Sequence, residues 1–400
     1  MEKLKVLSIA HSAVLKDMGR LRYYPLAGRD DLEVHLVVPK RWYQFGRWID
    51  ADLPDDPGIH VHVLPIWFAR APLVSWYLHV YPGLANLIDE LKPDVIHLWE
   101  EPWSLVALQA SLLRGAAALV LEVDQNIIKH LRFPFGWIRR HVLGDTDYIL
   151  PRSADAETVV RSFGYKGPAS FIEYGVDQST FYPTTAASSQ SEGLRLGYVG
   201  RIVVEKGLDD AIDALALLPV EVTLDIMGEG PHEAHLRQRI DELGLGDRVR
   251  FRGWGSAVEV ADFIRAHDIM LLLTRTTGAV REQFGRVIIE CQACGVPIIG
   301  SECGAIPDVT GDGGWIVPES NPEALAHCIW SILSDPRERR RRADAGRQNV
   351  LNRFTYEVIA NKLEAGWREA AERSQSKTGV RSRVVEDTRL QRPAVGKSII

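Results

Sequence analysis

The chain is poor in cysteine, with only four among its 400 residues. Cys291, Cys294, Cys303 and Cys328 show no regular disulfide framework, which favours a reducing cytoplasm over a secreted scaffold. Cys291 and Cys294 form a C-x-x-C pair, but no histidine or second C-x-x-C lies close to it. Small buried residues on a helix therefore explain the pair better than a redox or zinc site does.

Long apolar runs and an excess of positive charge are also missing. No segment approaches the roughly 18 consecutive apolar residues of a membrane span. The first apolar run, in "MEKLKVLSIAHSAVL", is short and is interrupted at His11 and Ser12, so it predicts a buried strand rather than a signal peptide. With 47 basic and 53 acidic side chains, the net charge of −6 gives no general attraction to nucleic acid, and no nucleic-acid partner is expected.

Two nucleotide-binding motifs are absent as well. The segment "AHSAVLKDMG", which follows the first predicted strand, holds no G-x-G-x-x-G, and this disfavours a nicotinamide or flavin site. The chain has no G-x-x-x-x-G-K-[ST] segment either, which argues against a P-loop ATPase. Any phosphate-binding site must therefore be built in another way.

Short apolar segments alternate with helical patterns through the early half of the chain. Stretches such as "GLANLIDELK" and "SLVALQASLL" place apolar residues at helical spacing. This alternation predicts a doubly wound parallel sheet. The predicted strands are "KVLSIA", "LEVHLVVP", "IHVHVLPI", "DVIHLW", "ALVLEVD" and "DYILPRS".

A polar segment of small residues divides the chain. Residues 183–194, "PTTAASSQSEGL", lack periodicity and predict an interdomain linker. Strand patterns then resume at "LRLGYVGR", "VEVTLDIMG", "RVRFRGW", "DIMLLLT", "VPIIGSE" and "GGWIVPE". We predict an α/β protein with two Rossmann-like domains facing each other across a cleft. The predicted parts are an N-terminal domain (1–182), the linker, a C-terminal domain (195–355), a helix packing back on the N-terminal domain (356–374) and a disordered tail (375–400).

Two cations stand where the first strand of the second domain turns into a helix. Strand "LRLGYVG" runs into "RIVVEKGLDDAIDAL", which places Arg201 and Lys206 in the turn. A helix N-terminus adds backbone N–H groups and a partial positive charge, so the turn can hold a diphosphate. The alternative is ordinary surface charge beside a glycine turn.

Two glutamates eight positions apart flank an aromatic-glycine turn in "REQFGRVIIE". Glu282 lies in a polar stretch that contains glycine. Glu290 follows the apolar residues 287–289 and precedes "CQACGVPII", where a carboxylate is costly unless it has a partner or a ligand. The alternative for Glu290 is a helix residue facing solvent.

Five segments, which run in order from residue 173 to residue 325, resemble glycosyltransferase family four, whose members are retaining enzymes of the GT-B fold. The segments are "EYGVDQSTFYP", "GYVGRIVVEKGLDDAIDAL", "IMGEGP", "VRFRGW" and "REQFGRVIIECQACGVPIIGSECGAIPDVTGDGGWIVPESNPEAL". They cover most of residues 171–355. The early half resembles the family only in its strand-helix rhythm and in "DVIHLWEEPWSLVALQ".

The resemblance implies roles for the glutamates and the cations. Glu282 and Glu290 match the family's motif of two glutamates separated by seven residues, in which the first lies by the donor sugar and the second binds the nucleotide ribose hydroxyls. The family pattern places Arg201 and Lys206 on the diphosphate, so no metal ion is expected there. Glu282, Arg201 and Lys206 form the predicted catalytic set. The further donor-binding residues, in the glycine turn and near the nucleotide base, are Phe284, Gly285, Arg286, Arg252, Trp254 and Gly200.

The chain departs from the resemblance at the end of "ALVLEVDQN". Many relatives carry a histidine there that contacts the donor sugar, whereas this chain has Asp124, Gln125 and Asn126. Asp124 is either a sugar ligand or a helix cap. We predict acceptor-side or sugar-side positions for Asp124 and Asn126, and for His97, Glu100 and Glu101 of "IHLWEEPWS", although "EEP" is also an ordinary helix start.

The resemblance implies a retaining glycosyltransferase that needs no cofactor besides a nucleotide-diphosphate sugar as co-substrate. The acceptor is expected to be a glycan, a lipid-linked molecule or a small molecule, bound on the side of the N-terminal domain. The alternatives are a GT-B protein that binds the nucleotide sugar without transfer, and a GT-B epimerase.

Aromatic and basic residues mix in residues 130–144, "HLRFPFGWIRRHVLG". Phe133, Phe135, Trp137 and Ile138 stand among three arginines, Arg132, Arg139 and Arg140. This mixture suits the surface of an anionic membrane, and a helix that packs its aromatic residues into the early domain is the alternative. We expect a cytoplasmic protein, with contact at the inner membrane face under the first interpretation.

Overall fold

The computed structural model describes residues 3–44, 47–68, 75–184 and 193–390. It contains two six-stranded parallel sheets, one in each half of the chain, and confirms the α/β class with two Rossmann-like domains. All twelve predicted strands form. In each sheet the order of the strands reverses next to the strand that begins the domain, which is the doubly wound arrangement.

The first domain has strand order β5-β2-β1-β6-β7-β8. Every residue of β6 and β7 is buried because helices cover both faces of the sheet. Its strands are β1 (Leu4–Ile9), β2 (Leu32–Pro39), β3 (Arg41–Gln44), β4 (Arg47–Asp50), β5 (His60–Leu64), β6 (Val95–Trp99), β7 (Ala118–Val123) and β8 (Tyr148–Pro151). Its α-helices are α1 (Ser75–Leu78), α2 (Leu84–Leu91), α3 (Leu105–Leu113), α4 (Phe135–Asp145) and α5 (Ala154–Ser162).

The second domain has strand order β11-β10-β9-β12-β13-β14. Its strands are β9 (Leu194–Val199), β10 (Val222–Met227), β11 (Val249–Phe251), β12 (Ile269–Leu272), β13 (Ile298–Ser301) and β14 (Gly314–Val317). Its helices are α6 (Leu208–Ala216), α7 (Glu233–Glu242), α8 (Ala257–Arg265), α9 (Arg286–Ala293), α10 (Ile306–Thr310), α11 (Pro322–Ser334) and α12 (Pro336–Arg353). Residues 185–192 of the predicted linker lie outside the described residues.

The sequence patterns missed two features of the first domain. Strands β3 and β4 form an antiparallel hairpin beside the main sheet. Short 3-10 and π-helical turns fill residues 11–26, between β1 and β2. The buried Arg20 holds this region together by donating to the carbonyl oxygens of Ala13 and Val14 and by pairing with Asp56 at 2.9 Å. Side-chain bonds of this kind leave no periodic pattern in the sequence.

The chain passes between the domains twice, and the two passages contact each other. The backbone N–H of Val176 donates to the carbonyl oxygen of Phe354 at 2.9 Å, and Val176 forms a parallel bridge with Thr355. Gly175 lies against the ring of Tyr356, and a Cβ at Gly175 would stand 2.4 Å from that ring. The second passage leads into α13 (Tyr356–Leu390).

Helix α13 packs on the first sheet. Trp367 is fully buried in the same hydrophobic cluster as Tyr23, Val120 and Leu150 of the first domain. An ion pair between Arg29 and Glu364 closes the edge of this contact. The end of the chain therefore completes the core of the domain in which the chain begins.

The prediction of a disordered tail from residue 375 is wrong for residues 375–390, which continue α13. Residues 375–390 contain no proline and one glycine, Gly379, and a single glycine costs a helix only about 1 kcal/mol. Helical hydrogen bonds are local, so the helix extends until a residue interrupts it. Residues 391–400 lie outside the described residues.

Replacing Trp367 with alanine should destabilise the first domain by about 3–5 kcal/mol, because it leaves a cavity under the sheet. Urea unfolding followed by circular dichroism measures the loss. Trp330→Ala, at a half-exposed tryptophan of α11, is the matched control and should cost much less. Equal losses in the two variants would show that α13 is not part of the core.

Candidate active site

The strand order of each sheet defines where a ligand site is expected. In open parallel sheets, ligands bind at the carboxyl ends of the strands where the order reverses. That point lies between β1 and β6 in the first domain and between β9 and β12 in the second. The loops at these points hold His11 and Glu100 in the first domain, and Arg201 and Thr274 in the second.

A cavity of about 250 Å³, here called the cleft cavity, lies between the two domains. Asn126 and Lys129 line it from the first domain, and Arg201, Lys206 and Glu282 line it from the second. A larger cavity of about 410 Å³ lies beside Pro93 and Asp94, at the amino end of β6 and away from these loops. The cleft cavity therefore brings the three predicted catalytic residues together at the expected end of the sheets.

Lys206 and Glu282 form the centre of the cleft cavity. The Lys206 Nζ atom lies 2.6 Å from Glu282 Oε2, and both side chains are largely buried. The Thr274 hydroxyl donates to the same carboxylate oxygen at 2.8 Å and lies 3.2 Å from Lys206 Nζ. Lys206 reaches this position because Gly207, at φ 65°, ends a 3-10 turn and begins α6. A Cβ at Gly207 would stand 2.2 Å from the carbonyl oxygen of Leu273.

The backbone of Glu282 is held from three sides. Its N–H donates to Cys303 Sγ at 3.4 Å, and its carbonyl oxygen accepts from the Ala305 N–H at 3.1 Å. The Asn126 amide donates to the same carbonyl oxygen, and to that of Arg281, at 3.2 Å each. Asn126 belongs to the first domain, so the loop that carries Glu282 is fixed by a hydrogen bond across the cleft.

Arg201 lies at the rim of the same cavity. Its side chain is exposed, and its guanidinium makes no hydrogen bond or ion pair with the residues that the structure describes. Its carbonyl oxygen accepts from the hydroxyl of Tyr198 at 2.7 Å, which fixes the turn after β9. Gly200 and Gly228 touch through their backbones there, since a Cβ at Gly228 would stand 1.8 Å from the Gly200 carbonyl oxygen. Arg201 is thus free to bind an anion.

The two glutamates of the motif lie in different local structure: Glu282 lies in the loop before α9, and Glu290 lies within α9. Gly285, in the left-handed conformation at φ 83°, begins the helix, and Glu290 follows one turn later. Glu290 is half-buried, and its carboxylate has no hydrogen-bond partner among the described residues. Burial raises the pKa of Glu290, and the nearby Arg286 partly offsets this effect. The helix carries Glu290 away from the Lys206–Glu282 pair and leaves its carboxylate without a partner.

Phe284, the aromatic residue of the turn before α9, is buried in the hydrophobic core. The Phe284 side chain is only 2% exposed and packs edge-on against Tyr174 and Phe354. The prediction that Phe284 binds the donor is therefore corrected for its side chain, because the hydrophobic core of the second domain buries it. Arg286 is exposed, with its guanidinium 5.7 Å from the Tyr174 ring.

Arg252 and Trp254 lie at the end of β11, near the edge of the second sheet. Arg252 is paired with Asp225 at 2.7 Å, and Trp254 is 59% exposed. Neither lines the cleft cavity. Between them, Gly253 bonds to Gly228, which links this end of the sheet to the turn at Gly200.

A second cavity of about 360 Å³, here called the first-domain cavity, adjoins the cleft cavity and shares Gln125, Lys129 and Gln283 with it. Buried ion pairs form its floor. Arg22 holds Glu122 through two hydrogen bonds of 2.8 and 2.7 Å, and Arg152 bonds to both Glu122 and Asp124. Despite burial, these arginines keep the pKa of Glu122 well below its usual range.

The structure removes one interpretation of Asp124. The described chain is irregular from residue 124 to Pro134, and the next helix, α4, begins at Phe135, so Asp124 is not a helix cap. Instead, Asp124 Oδ1 accepts from Arg152 Nε at 2.6 Å. A role as a sugar ligand stays a prediction, because Asp124 lines the first-domain cavity.

Glu100 and Glu101 also line the first-domain cavity. Glu101 Oε1 accepts from the backbone N–H groups of Asp124 and Gln125 at 2.9 and 2.8 Å. Glu100 Oε1 lies 2.6 Å from His11 Nδ1 and 3.5 Å from His79 Nε2. Burial opposes the ionisation of Glu100, but the two histidines outweigh it and lower its pKa to about 2.

The prediction of His97 on the acceptor side is wrong. His97 is fully buried in the middle of β6, where its Nδ1 lies 2.9 Å from the Ser8 hydroxyl. Its ring is 5.5 Å from that of Trp367 on α13, which covers this face of the sheet. Burial lowers its pKa, so the histidine is a core residue.

Among the described residues, three groups of side chains bring candidate metal ligands within 4.8 Å of one another. None includes a residue of the predicted catalytic set, and no metal function follows from them. Asp-x-Asp pairs occur at residues 50–52 and 145–147, and neither lines the cleft cavity. The groups are His11, His79 and Glu100; Glu33, His35 and His60; and Asp209, His232 and His235.

Sequence reasoning missed Thr274 and Arg152. Thr274 ends the predicted strand "DIMLLLT", and its place beside β9 gives the one available signal, since polar residues after central strands meet at the carboxyl edge of the sheet. Arg152 follows β8 in the same way. No spacing in the sequence connects either residue with its partner.

Comparison with known proteins identifies relatives of both domains. The family described as "Glycosyl transferases group 1" matches residues 186–349. N-acetyl-alpha-D-glucosaminyl L-malate synthase of Bacillus anthracis is 31% identical over 332 residues, which cover 75% of this chain and 83% of that protein. A GDP-mannose-dependent alpha-(1-6)-phosphatidylinositol dimannoside mannosyltransferase of Mycobacterium tuberculosis (strain ATCC 25177 / H37Ra) is 32% identical over 317 residues, which cover 74% and 79%.

Solved structures with the same fold include two with low sequence identity. Sucrose-phosphate synthase from Thermosynechococcus elongatus superposes with a TM-score of 0.71 at 21% identity, covering 92% of this chain and 99% of the other. Anabaena Alr3699/HepE in complex with UDP gives 0.66 at 19% identity, covering 90% and 98%. These likenesses establish the fold.

The stability of Glu101→Gln, compared with that of the wild type at the same pH, should increase as the pH rises. Burial, followed by the charge of Asp124, raises the pKa of Glu101 to about 8. Because an unfolded glutamate titrates near pH 4.3, the folded state holds the extra proton between these values, and wild-type stability falls across that window. Glutamine still accepts the two backbone hydrogen bonds but does not titrate.

The unfolding free energies of Glu101→Gln and the wild type are therefore compared at about pH 5 and at about pH 8. Between these two pH values, the difference between them should shift by roughly 1 kcal/mol or more in favour of Glu101→Gln. Glu90→Gln, on the exposed face of α2, controls for the loss of one carboxylate from the chain. A constant difference between Glu101→Gln and the wild type at both pH values would contradict the burial of this group.

Proposed function

This chain belongs to the glycosyl transferases group 1 family and is a glycosyltransferase that uses a nucleotide sugar; we propose that it transfers the sugar with retention and without a metal ion. The proposed acceptor is a glycan, a lipid-linked molecule or a small molecule. The observation that carries the proposal is the Lys206–Glu282–Thr274 cluster, which faces a cavity lined by both domains and has the unpaired Arg201 at its rim.

The donor's diphosphate would bind between Arg201 and Lys206. Both cations line the cleft cavity beside the turn that leads to α6, and the backbone N–H groups of that turn add positive potential. Lys206 already has its charge balanced by Glu282, so the unpaired Arg201 supplies the extra positive charge that a diphosphate requires. In this proposal, the two cations and the N–H groups of the turn stabilise the leaving group in place of a metal ion.

In the proposed reaction, the bond between the anomeric carbon and the phosphate oxygen breaks while an acceptor oxygen bonds to the same face of the sugar. The acceptor's proton passes to the departing phosphate oxygen. Arg201 and Lys206 stabilise the negative charge that develops on the diphosphate, and Glu282 orients the sugar and supports its oxocarbenium-like charge. The half-buried Glu290 carboxylate, which has no partner among the described residues, suits a ribose diol.

GDP-mannose is the first donor to test. The mannosyltransferase relative from Mycobacterium tuberculosis is named for that donor and is 32% identical over 317 residues. The Bacillus anthracis relative is named for an N-acetylglucosaminyl product, so UDP-linked sugars form the second group. Release of nucleoside diphosphate from each donor should occur with an acceptor extract and should persist in EDTA. Binding without release would favour a nucleotide-sugar-binding protein over an enzyme.

The two glutamates should respond differently to substitution because they are proposed to contact different parts of the donor. Glu290→Gln should weaken the binding of both nucleoside diphosphate and donor sugar, since each carries the ribose. Glu282→Gln should not weaken nucleoside diphosphate binding, because it frees Lys206 from its ion pair, whereas its turnover should fall at least about tenfold. Calorimetric titration of the diphosphate, together with initial rates, measures both effects.

These outcomes also test the division of roles. An equal loss of diphosphate affinity in both variants would show that Glu282 contacts the nucleotide. Unchanged turnover in Glu282→Gln would exclude this residue from the chemistry. Each variant carries the same charge change, so the other serves as its matched control.

We also propose that the α4 region contacts an anionic membrane. Phe133 is 87% exposed and Trp137 is 47% exposed, and the exposed Arg132 and Arg140 flank them. Other members of the segment are turned inward: Ile138 is buried, and Arg139 donates to the carbonyl oxygen of Lys129. Among the described residues, no helix is long and apolar enough to cross a bilayer.

Sedimentation with lipid vesicles tests the membrane proposal. The wild type should pellet with vesicles that contain an anionic phospholipid and not with neutral ones, and Phe133→Ser/Trp137→Ser should pellet several-fold less. The control is Trp330→Ser, at an exposed tryptophan of α11. Equal pelleting with both kinds of vesicle, or with neither, would rule the contact out.

A further inference from the structure

The residue before Glu282 contacts the first domain through its side chain as well as through its backbone. The Arg281 Nη1 atom lies 3.1 Å from Oδ2 of Asp155. Asp155 belongs to the first turn of α5, in the first domain, whereas Arg281 belongs to the second domain. The carbonyl oxygen of Arg281 also accepts from the Asn126 amide at 3.2 Å. Two residues of the first domain therefore hold Arg281.

The Asp155 carboxylate is not used to cap its own helix. Ser153 is the N-cap of α5, and its hydroxyl accepts from the backbone N–H of Ala156 at 3.3 Å. Glu157, the other acidic residue of the first turn, pairs with Arg161 of the same helix at 2.9 Å. Asp155 instead forms its ion pair with the other domain. Its charge thus serves a contact outside α5.

This ion pair acts on a part of the chain that lines the donor side. Residues 279–283, here called the cleft turn, line the cleft cavity. The cleft turn lies in residues 273–285, which form neither helix nor strand. Its local support comes from the Thr277 hydroxyl oxygen, which accepts from the N–H groups of Ala279 and Val280. A segment with so few backbone bonds opens easily, so contacts with neighbouring elements fix its position.

The exposure of the pair defines what it can do. The Arg281 and Asp155 side chains are 41% and 34% exposed. An ion pair of this exposure adds little to the stability of a whole domain, and salt screens it. Its effect falls instead on the cleft turn, which few other bonds hold. Removing Asp155 would also leave Arg281 as an unpaired cation at the cavity, which would not weaken the binding of an anion.

We propose that Asp155 is a positioning residue: its ion pair with Arg281 ties the cleft turn to the first domain and thereby holds Glu282 in position for the donor. This inference rests on the proposed function. Asp155 does not line the cleft cavity, so it acts through Arg281 and not on the substrate.

Turnover at saturating donor tests the positioning role. Asp155→Asn should lower turnover about twofold to fivefold, the range of an exposed ion pair, without weaker nucleoside diphosphate binding in calorimetry. Glu157→Gln is the matched control, because it removes the same charge from the same helical turn but breaks a pair within α5. It should behave as the wild type. Unchanged turnover in Asp155→Asn, or an equal loss in the two variants, would overturn the proposal.

Salt and a second substitution identify the pair as the cause. Raising the salt from about 50 mM to about 500 mM should lower the turnover of the wild type more than that of Asp155→Asn, whose pair is already broken. Arg281→Gln should also lower turnover, and adding Asp155→Asn to it should cause no further loss. Additive losses in the double variant, or equal salt effects in the wild type and Asp155→Asn, would contradict a role through Arg281.

Hydrogen exchange tests the tie without a donor. The N–H groups of Val280 and Glu282 bond to Thr277 and Cys303. In Asp155→Asn, the segment that contains them should exchange at least about twofold faster than in the wild type or in Glu157→Gln. Equal exchange in the three proteins would refute the tie. Faster exchange in Asp155→Asn, together with no transfer from any nucleotide sugar by the wild type, would support the tie and refute the proposed function.

Discussion

The site depends on one ion pair, Lys206 with Glu282, held in a fixed position before any substrate arrives. A carboxylate beside a lysine and a threonine hydroxyl is stable in a half-buried cleft because its charge is already balanced. The loop that carries Glu282 has little regular structure, so its position comes from contacts with other loops. Gly304 permits one of them, since a Cβ there would stand 2.2 Å from the Glu282 carbonyl oxygen.

The first domain also fixes the position of the loop that carries Glu282. Asn126 donates to the backbone at Arg281 and Glu282, and Glu101 holds the loop of Asn126 through the N–H groups of residues 124 and 125. Tyr174 and Phe284 pack edge-on near the point where the chain passes between domains. The position of the Glu282 carboxylate therefore depends on how the two domains meet, and any change in that arrangement changes the site.

The sequence predicts the strands and the cationic turn well because both depend on local pattern. Strand "LEVHLVVP" is rich in apolar and β-branched residues, and Arg201 follows β9 closely, so their places need no knowledge of distant residues. His97 and Asp124 could not be placed, because their partners come from far along the chain. Trp367 of α13 covers the face beside His97, and Arg152 after β8 binds Asp124. The same holds for Thr274, which becomes part of the site only when β9 and β12 pair.

The most direct test of the account is the turnover of Asn126→Ala, measured with nucleoside diphosphate affinity in the same variant. If the hydrogen bonds across the cleft fix Glu282, turnover should fall about tenfold to a hundredfold, because the loss of orientation acts on the chemical step. Diphosphate affinity should stay within about twofold of the wild type, and the exposed Asn352→Ala should behave as the wild type in both measurements. Turnover in Asn126→Ala equal to that of the wild type would contradict the claim that the first domain positions Glu282 for the proposed reaction.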